Sequence, residues 1–296
     1  MKFTLPPEFA SRVRIGEPLS RHTSWHVGGP ADIFFTPRDR QDLIAFLKVL
    51  PPAVPLLWLG LGSNLLVRDG GVRGVVVSTR DALAALERRG DRMVHAEAGV
   101  PCARLARQCA RWDLGPAEFF TGIPGTVGGA LAMNAGAFEG ETWRQVRSVE
   151  TVDRHGTVRM RDASEYAVRY RHVDAPANDE WFLAADFVFD AGSSEAATRA
   201  LLDRRRQTQP IGEWSCGSVF TNPAGDHAAR LIESAGLKGL RIGGAVVSTK
   251  HANFIINEGE ATAGDIEALI GQVQREVERQ HGLRLTPECR IVGEAA

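Results

Sequence analysis

The feature that most constrains this chain is the clustering of its glycines. The 296 residues include 31 glycines against 15 prolines. Glycine reaches positive φ and lets a ligand or another backbone come close. Residues 122–130 read G-I-P-G-T-V-G-G-A, and five glycines fall between positions 122 and 136. We interpret this stretch as a rigid wall with few side chains, against which a flat ligand can lie. A loop packed for tight turns is the alternative.

A second glycine loop, G-L-G-S-N-L-L at residues 60–66, directly follows a strand predicted at 55–60. Backbone N–H groups in such a turn form an anion nest, so the loop predicts a diphosphate cradle, with a plain tight turn as the alternative. A Rossmann fingerprint would need glycine where Leu65 stands, and no Walker G-K-[ST] is present. A third loop, V-G-G-P-A-D at 27–32, completes a set that implies one large cofactor with a diphosphate.

Composition narrows the class of protein further. Lys and Arg number 35 and Asp and Glu 36, for a net charge of -1, which argues against a general nucleic-acid binder. The sequence predicts no signal peptide and no membrane span. No C-x-x-C pair or H-E-x-x-H motif predicts a metal site. We therefore expect a cytoplasmic protein with reduced thiols, at Cys102, Cys109, Cys216 and Cys289.

Hydrophobic periodicity predicts a mixed α/β chain. Helices are predicted at 39–50, 101–112, 196–206, 226–235 and 263–281, and strands at 31–35, 55–60, 75–77, 94–100, 146–152, 182–189 and 253–257. The last helix has a capping-box start at Thr262 and Asp265. Its predicted buried stripe is Ile266, Leu269, Ile270, Val273 and Val277. A change in composition near residues 190–206 predicts a domain boundary.

Three polar side chains could carry chemistry. Ser218 lacks the G-x-S-x-G elbow of a serine hydrolase, so it is either a positioned proton donor or a local turn residue. Arg171, in V-R-Y-R-H-V, could stabilise an oxyanion or be a surface charge at a strand edge. Glu288 could be half-buried with a raised pKa, or it could simply pair with Arg290.

Taken in order, the motifs resemble the UDP-N-acetylenolpyruvoylglucosamine reductase family in its shorter form. They are T-S-W-H-V-G-G-P-A-D (23–32), L-G-L-G-S-N-L-L-V (59–67), G-I-P-G-T-V-G-G-A-L-A-M-N-A-G-A (122–137), Y-R (170–171), G-S-V-F-T-N-P (217–223), A-G-L-K-G (235–239), G-G-A-V-V-S-T-K-H-A-N-F-I-I-N (243–257) and P-E-C-R-I-V-G (287–293).

The resemblance implies an α/β (α+β) fold. It would combine an FAD-binding domain of the vanillyl-alcohol-oxidase (PCMH) type with a smaller C-terminal α/β substrate-binding domain. We expect a lead-in at residues 1–21, the FAD-binding domain at 22–192, with two subdomains split near residue 78, and the C-terminal domain at 193–296.

The resemblance also implies the activity. FAD would be the bound cofactor and NADPH the hydride donor, and the small-molecule substrate would be UDP-N-acetylglucosamine-enolpyruvate. Its enolpyruvyl group would be reduced to the lactyl ether of UDP-N-acetylmuramate, in peptidoglycan precursor synthesis. Arg171 and a protonated Glu288 would stabilise an enolate-like state, and Ser218 would give a proton to C2. No nucleic acid, membrane or obligate protein partner is expected.

The glycine loops and the resemblance together supply the remaining site residues. Substrate contacts are predicted at Tyr170, Asn222, Lys238 and His251. Thr221 and Cys289 depart from the family pattern, which often has Lys and usually has Val at these positions. The predicted cofactor-binding residues are Gly60, Gly62, Ser63, Asn64, Leu65, Gly122, Pro124, Gly125, Thr126, Gly128, Gly129, Asn134, Ala135 and Gly136.

Two other functions remain open from the sequence. One is a flavin oxidase of the same superfamily that acts on an alcohol or a sugar. The other is a non-catalytic protein that binds a nucleotide sugar. Bound flavin would separate the second of these from the enzymes, because flavin absorbs near ~450 nm and colours the protein yellow.

Overall fold

The computed structural model describes residues 5–193 and 195–296, so the first four residues of the predicted lead-in and Ser194 lie outside the described residues. The chain forms two compact units. Unit 1 comprises the residues up to Ile15, Ile33–Leu61 and Gly74–Arg204, and unit 2 comprises Gly16–Asp32, Gly62–Arg73 and Arg205–Ala296. These units are interleaved along the chain, whereas the sequence predicts contiguous domains, and the predicted boundaries stay a prediction.

Helices and strands are mixed along the chain. The α-helices of the described residues are α1 (Arg40–Val49), α2 (Cys102–Arg111), α3 (Val127–Met133), α4 (Glu195–Thr208), α5 (Ala228–Ser234) and α6 (Ala263–His281). The strands are β1 (Val13–Pro18), β2 (Pro30–Phe35), β3 (Leu56–Leu59), β4 (Leu65–Val67), β5 (Val72–Ser78), β6 (Leu86–Arg89), β7 (Met93–Glu97), β8 (Leu114–Gly115), β9 (Gly136–Ala137), β10 (Gly140–Glu141), β11 (Val146–Asp153), β12 (Val158–Asp162), β13 (Ala167–Arg169), β14 (His172–Asp174), β15 (Glu180–Val188), β16 (Asp190–Ala191), β17 (Arg241–Ile242), β18 (Ala245–Val247), β19 (Ile255–Asn257) and β20 (Arg290–Val292).

Unit 1 contains an antiparallel sheet of five strands in the order β12-β11-β15-β7-β6. Helix α2 packs into the same hydrophobic core with a stripe at positions i, i+3, i+4 and i+7, and its buried residues are Cys102, Leu105, Ala106 and Cys109. The i, i+3, i+4 spacing is the one that places side chains on one helix face. Leu105 and Ala106 are therefore buried on one face, as predicted.

A second core of unit 1 is aromatic. Phe35 and Phe46 stack with ring centroids 3.8 Å apart, and Phe9 meets both rings edge-on. Strand β3 pairs in parallel with β5 beside this core, and these strands join β1 and β2 in a sheet of order β1-β2-β5-β3. Helix α1 begins at its N-cap Asp39, whose carboxylate accepts a hydrogen bond from the Asp42 N–H at 2.8 Å.

Unit 2 is built around the long helix α6 and the antiparallel sheet β17-β18-β19. The predicted bounds of α6 are confirmed, and so is the capping box of Thr262 and Asp265. All five residues of its predicted stripe are buried in one core. Trp25 is fully buried in that core, where its indole N–H donates to the Ile255 carbonyl at 2.8 Å. The T-S-W-H motif therefore supplies a core anchor.

One segment differs from the sequence analysis. The glycine stretch at 122–136, treated there as a loop, contains helix α3. Thr126 is its N-cap and accepts from the Gly129 N–H, while Asn134 ends it in the left-handed conformation at φ 49°. Two adjacent glycines lower helix propensity by about 1 kcal/mol each, which masks the helix in the sequence. In the described part of the chain, no helix combines the length and apolar composition needed to cross a bilayer.

The start of α6 depends on a carboxylate from a distant part of the sequence. The two Asp69 oxygens accept hydrogen bonds from the N–H groups of Ala263 and Gly264 at 3.0 and 2.9 Å. The next turn is joined to the same segment, because Arg68 forms a bidentate pair with Glu267 at 2.8 and 2.9 Å. A carboxylate at a helix N-terminus satisfies free N–H groups and the helix dipole together.

We expect Asp69→Ala to destabilise the protein by about 1–2 kcal/mol, because two helix N–H groups lose their acceptor. Thermal unfolding followed by circular dichroism should show a melting temperature lower by roughly 2–8 °C. Asp91→Ala serves as the control, since Asp91 is exposed. Equal melting temperatures for the two variants would contradict the assigned role of Asp69.

Candidate functional site

The loop at residues 60–63 presents a run of backbone donors. Among the residues that the structure describes, no group accepts a hydrogen bond from the amides of Gly60, Leu61, Gly62 or Ser63. Gly62 adopts φ +62°, and a Cβ there would lie 2.0 Å from the His22 carbonyl oxygen. Consecutive N–H groups of this kind suit an anion, so the geometry fits the predicted diphosphate cradle.

The amides at the beginning of α3, in contrast to those of the 60–63 loop, donate to acceptors within the protein. The Val127 and Gly128 amides donate to the Val100 and Ala98 carbonyls, both at 2.8 Å. The next amide in the helix, that of Gly129, is taken by the Thr126 hydroxyl. The amides of this first turn are therefore used within the protein, and the loop at 60–63 is the better place for a diphosphate.

Most glycines of the 122–136 stretch are explained by close packing. A Cβ on Gly122 would lie 2.5 Å from the Ala137 Cβ, and one on Gly128 would lie 2.9 Å from the Ala98 Cβ. A Cβ on Gly60 would likewise lie 2.6 Å from the Thr126 hydroxyl oxygen. These contacts bring part of the 60–66 loop against the 122–136 stretch within unit 1.

Gly129 differs from Gly122, Gly128 and Gly136, where an added Cβ would lie within 3 Å of another atom. It is exposed on α3, and a Cβ there would meet only the Thr126 hydroxyl oxygen, at 3.7 Å. Pro124 and Ala132 are exposed as well, and Ala132 follows Gly129 at i+3 on the same face of α3. Because glycine costs about 1 kcal/mol relative to alanine inside a helix, a position with room for a methyl group suggests that a ligand needs this space. The surface fits a flat ring system such as flavin.

The third glycine loop has a structural explanation. A Cβ on Gly29 would lie 2.1 Å from the Asp69 carbonyl oxygen, and one on Gly28 would lie 2.8 Å from the Val67 Cβ. These glycines are needed for packing inside unit 2. The cofactor argument therefore depends on the loops at 60–66 and 122–136.

Arg171 lies at the tip of a short hairpin in unit 1. Strands β13 and β14 pair Arg169 with His172, which leaves Tyr170 and Arg171 as the two turn residues, the second at φ 54°. Its guanidinium donates to the carbonyls of Asn134 and Gly136 at 3.3 and 2.7 Å. The charge also lies 4.9 Å from the Tyr170 ring centre. Arg171 is thus held against the glycine stretch and is more than a surface charge.

Ser218 and Glu288 are brought together within unit 2. The Glu288 N–H donates to the Val219 carbonyl at 2.7 Å, and Phe220 forms an isolated antiparallel bridge with Pro287. Both predicted catalytic residues therefore lie on adjacent segments. In the described part of the chain, no group bonds to the Ser218 hydroxyl, which leaves it available to donate a proton.

The open alternative for Glu288 is not supported. Among residues 5–193 and 195–296, no ion pair joins Glu288 to Arg290. Beside these residues lie Cys216 and Cys289, both buried and free. Burial, with the second thiol nearby, raises the pKa of Cys216 well above its ordinary value. The Cys216 thiol therefore stays protonated, and both buried side chains contribute packing.

The predicted substrate contacts lie in both units. Lys238 pairs with Glu233 at 2.6 Å in unit 2, where both charges also act on His251. Burial lowers the pKa of His251, and its Nδ1 accepts from the Asn253 N–H at 3.3 Å. The imidazole is therefore neutral at pH 7 with its Nε2–H free to donate.

Two further contacts refine the predicted set. Exposed Asn222 caps α5, because its Oδ1 accepts from the Ala228 N–H at 3.1 Å. Thr221, where the family often has Lys, donates to the Thr286 carbonyl at 3.3 Å. Because Thr221 carries no charge, Lys238 is the predicted substrate contact that can supply a cation for the diphosphate.

Sequence reasoning missed Asn253. It is 4% exposed, and its amide bonds to both the N–H and the carbonyl of Phe220, at 3.0 and 2.8 Å. The only available signal was its place in the motif K-H-A-N-F. From the sequence alone, an asparagine that positions a neighbour there cannot be distinguished from one that is simply buried in the core.

Two family models match the chain. Residues 31–160 match the model described as FAD binding domain. Residues 209–292 match the model described as UDP-N-acetylenolpyruvoylglucosamine reductase, C-terminal domain. Together with the mixed helices and strands, these matches confirm the predicted fold class.

Similar proteins cover nearly the whole chain. UDP-N-acetylenolpyruvoylglucosamine reductase of Alkalilimnicola ehrlichii is 61% identical over 96% of this chain and 95% of its own length. The reductase of the same name from Methylococcus capsulatus is 57% identical, over 94% and 92%. The crystal structure of UDP-N-acetylenolpyruvylglucosamine reductase from Thermus caldophilus aligns with TM-score 0.79 and 33% identity, covering 94% and 97%.

The FAD-binding domain and the reductase-type C-terminal domain define an FAD-dependent oxidoreductase, which confirms the predicted enzyme class. Identity this high over almost the full length is decisive for the family as well. The chain belongs to the UDP-N-acetylenolpyruvoylglucosamine reductase family.

We expect Gly129→Ala to weaken FAD binding by about tenfold, because the new methyl group would fill space that we expect the flavin to occupy. A loss of about 1.4 kcal/mol suffices for this change. The melting temperature of the FAD-free protein should stay equal or rise, since alanine favours the helix. Titration of FAD into FAD-free protein measures the affinity.

Gly271→Ala is the matched control, since Gly271 is a glycine within α6, where a Cβ would meet only the flexible end of Arg275. It should leave FAD affinity unchanged. Gly128→Ala should instead destabilise the fold by about 1–3 kcal/mol through its clash with Ala98. Unchanged FAD affinity in Gly129→Ala would show that no cofactor contacts this position.

We also expect His251 to make stability depend on pH. Its pKa is lower in the folded protein than the ordinary 6.5, so the unfolded chain binds the proton more readily. Its contribution is full above pH 6.5 and is lost as pH falls through the depressed folded pKa. Melting temperatures between pH 8 and 5 should therefore fall less steeply in His251→Gln than in the natural chain, and parallel curves would contradict this.

Proposed function

We propose that the protein reduces UDP-N-acetylglucosamine-enolpyruvate to UDP-N-acetylmuramate with NADPH as the hydride donor. The observation that carries this proposal is that Ser218 and Glu288 lie on adjacent segments, which the Glu288 N–H to Val219 carbonyl bond and the Phe220–Pro287 bridge join. The chain is also 61% identical to a reductase with this substrate in its name. We further propose that the reaction serves peptidoglycan precursor synthesis in the cytoplasm, and so cell-wall formation, cell shape and division.

The reaction adds a hydride to C3 of the enolpyruvyl group and a proton to C2. When bound, FAD supplies the hydride that originates from NADPH. As C3 gains the hydride, the electron pair of the double bond moves toward the carboxylate, and an enolate-like charge develops there. Side chains that stabilise this charge more strongly than the starting carboxylate lower the barrier.

Arg171 is suited to that task. Its guanidinium carries a permanent charge, and two backbone carbonyls fix its position at 3.3 and 2.7 Å. A cation already oriented before the reaction costs no reorganisation when the negative charge develops. We assign to Arg171 the binding of the substrate carboxylate and the stabilisation of the developing charge.

Ser218 and Glu288 complete the proposed reaction. The Ser218 hydroxyl has no hydrogen-bond partner among the described residues. It gives its proton to C2, which completes the saturated product. Glu288 lies on the adjacent segment. In its protonated form it donates a hydrogen bond to the carboxylate group, as a carboxyl group kept neutral can do.

Substrate binding is assigned to residues at the family's motif positions. We propose that Lys238 binds the diphosphate, in place of its present partner Glu233 at 2.6 Å. The neutral imidazole of His251 donates from Nε2, and Asn222 and Tyr170 provide further contacts to the UDP-sugar. The amides at residues 60–63 hold the diphosphate of FAD.

Ser218→Ala tests the proton step. We expect NADPH to reduce the bound FAD at the normal rate, because this step needs no proton from Ser218. Reoxidation by the enolpyruvyl substrate should slow by about 10²–10⁴-fold, as removal of a general acid does. Stopped-flow absorbance near ~450 nm follows both half-reactions.

Ser234→Ala is the control, since its hydroxyl only donates to the Leu231 carbonyl at 3.0 Å and contacts His281. Normal reoxidation of Ser218→Ala would exclude Ser218 as the proton donor. NADPH consumption that does not depend on the enolpyruvyl-UDP-sugar would overturn the proposed substrate. Rapid reoxidation by oxygen alone would favour a flavin oxidase.

A further inference from the structure

We propose that each of the three candidate catalytic side chains is held in place by one asparagine. The three are Asn64, Asn134 and Asn253, and each lies in the same unit as the residue that it supports. The inference rests on the proposed function for the identity of the catalytic residues. It assigns a positioning role to Asn253, which the sequence analysis missed, and it changes the role of Asn64 and Asn134 from cofactor contacts.

Asn134 supports Arg171. Its amide nitrogen donates to the Arg169 carbonyl at 3.1 Å and to Glu141 at 3.3 Å, and its Oδ1 accepts from the Trp143 N–H at 3.1 Å. Its own carbonyl accepts from the Arg171 guanidinium. Asn134 is 1% exposed, so its side chain faces protein groups on every side. It therefore fixes both the hairpin and the charge that the hairpin carries.

Asn253 supports Ser218. Its side chain bonds to both backbone groups of Phe220 at 3.0 and 2.8 Å, and its carbonyl accepts from the Val219 N–H at 2.9 Å. These three bonds fix the two residues that directly follow Ser218. Because Asn253 is 4% exposed, water does not compete strongly for them.

Asn64 supports Glu288. Its amide nitrogen donates to the Glu288 carbonyl at 3.1 Å. Its own carbonyl accepts from the Arg290 N–H at 2.9 Å, at the start of the parallel pairing of β4 with β20. Asn64 thus binds the backbone that directly follows the Glu288 side chain, while the Glu288 N–H is bound by the Val219 carbonyl.

Such contacts affect catalysis through geometry. A displacement of a catalytic group by about 1 Å can cost about 10²-fold in rate. A positioning residue should therefore affect the step that uses its supported side chain and leave the other step intact. A cofactor ligand should instead affect FAD retention and the flavin spectrum.

The test uses Asn134→Ser and Asn253→Ser in the FAD-bound protein. We expect the FAD content, the flavin absorbance spectrum and the rate of reduction by NADPH to stay within about twofold of the natural chain. Reoxidation by UDP-N-acetylglucosamine-enolpyruvate should slow by about 10–100-fold. Thr151→Val is the stability control, because it removes one buried hydrogen bond of unit 1, to Glu180 at 2.9 Å, and should leave both steps unchanged.

Two readouts separate positioning from loss of stability. Asn253→Ser should raise the solvent deuterium isotope effect on reoxidation, because the proton from Ser218 then limits the step. Asn134→Ser should leave that isotope effect unchanged and raise the substrate KM, because Arg171 binds the carboxylate. Asn134→Gln and Asn253→Gln keep a neutral amide but move it one methylene away from its partners, and they replace any serine variant that does not fold.

Loss of FAD or a shifted flavin spectrum in Asn134→Ser would show a cofactor ligand and overturn the inference, as would reoxidation at the normal rate. Amide hydrogen exchange tests the positioning role independently of the proposed function. If the natural chain is not reoxidised by the substrate, the proposed function fails. The positioning is then judged by faster amide exchange at residues 168–173 in Asn134→Ser, 217–221 in Asn253→Ser and 286–290 in Asn64→Ser, and unchanged exchange overturns it.

Discussion

The parallel pairing of β4 with β20 is the interaction on which the functional part of unit 2 depends. It aligns Leu65–Val67 with Arg290–Val292, although more than 220 positions of sequence lie between them. The strand that follows the 60–63 loop is thereby fixed to the strand that follows Glu288. Parallel pairs of three residues are weak alone, and here the Asn64 side chain and the Arg68 bonds to the Val292 and Gly293 carbonyls reinforce this one. The proposed cofactor loop and the segment of the proposed catalytic residue Glu288 are therefore joined to the same pair of strands.

The glycines show how far sequence and structure agree. Their clustering predicted a cofactor surface, and the FAD-binding domain match supports that class of site. The same residue type, however, serves two purposes. Gly122 and Gly128 are glycines because an added Cβ would lie within 3 Å of a neighbouring Cβ, whereas one on Gly129 would meet only the Thr126 hydroxyl oxygen, at 3.7 Å. A sequence cannot separate these cases, because the deciding atoms come from elements such as Ala98 that are distant in the chain.

Long elements with a clear period were predictable, and short elements made by tertiary contact were not. Helix α6 follows its predicted bounds because its capping box and its apolar stripe agree with each other. Helix α3 was hidden because two glycines oppose its formation locally, and the bonds from its first amides to the Ala98 and Val100 carbonyls supply the stability. The roles of Ser218 and Glu288 came from motif order, and only the fold shows that their segments are adjacent.

Asparagine suits a position beside each candidate catalytic residue because its side chain carries no net charge. An aspartate next to Arg171 would partly neutralise the cation that the substrate carboxylate needs, and one next to Glu288 would repel the anionic carboxylate that Glu288 is proposed to bind. The amide of asparagine donates and accepts without a net charge. Asn134 also adopts φ 49° with less strain than most residues. A neutral side chain can thus fix the backbone beside a catalytic group without changing the charge that the substrate meets.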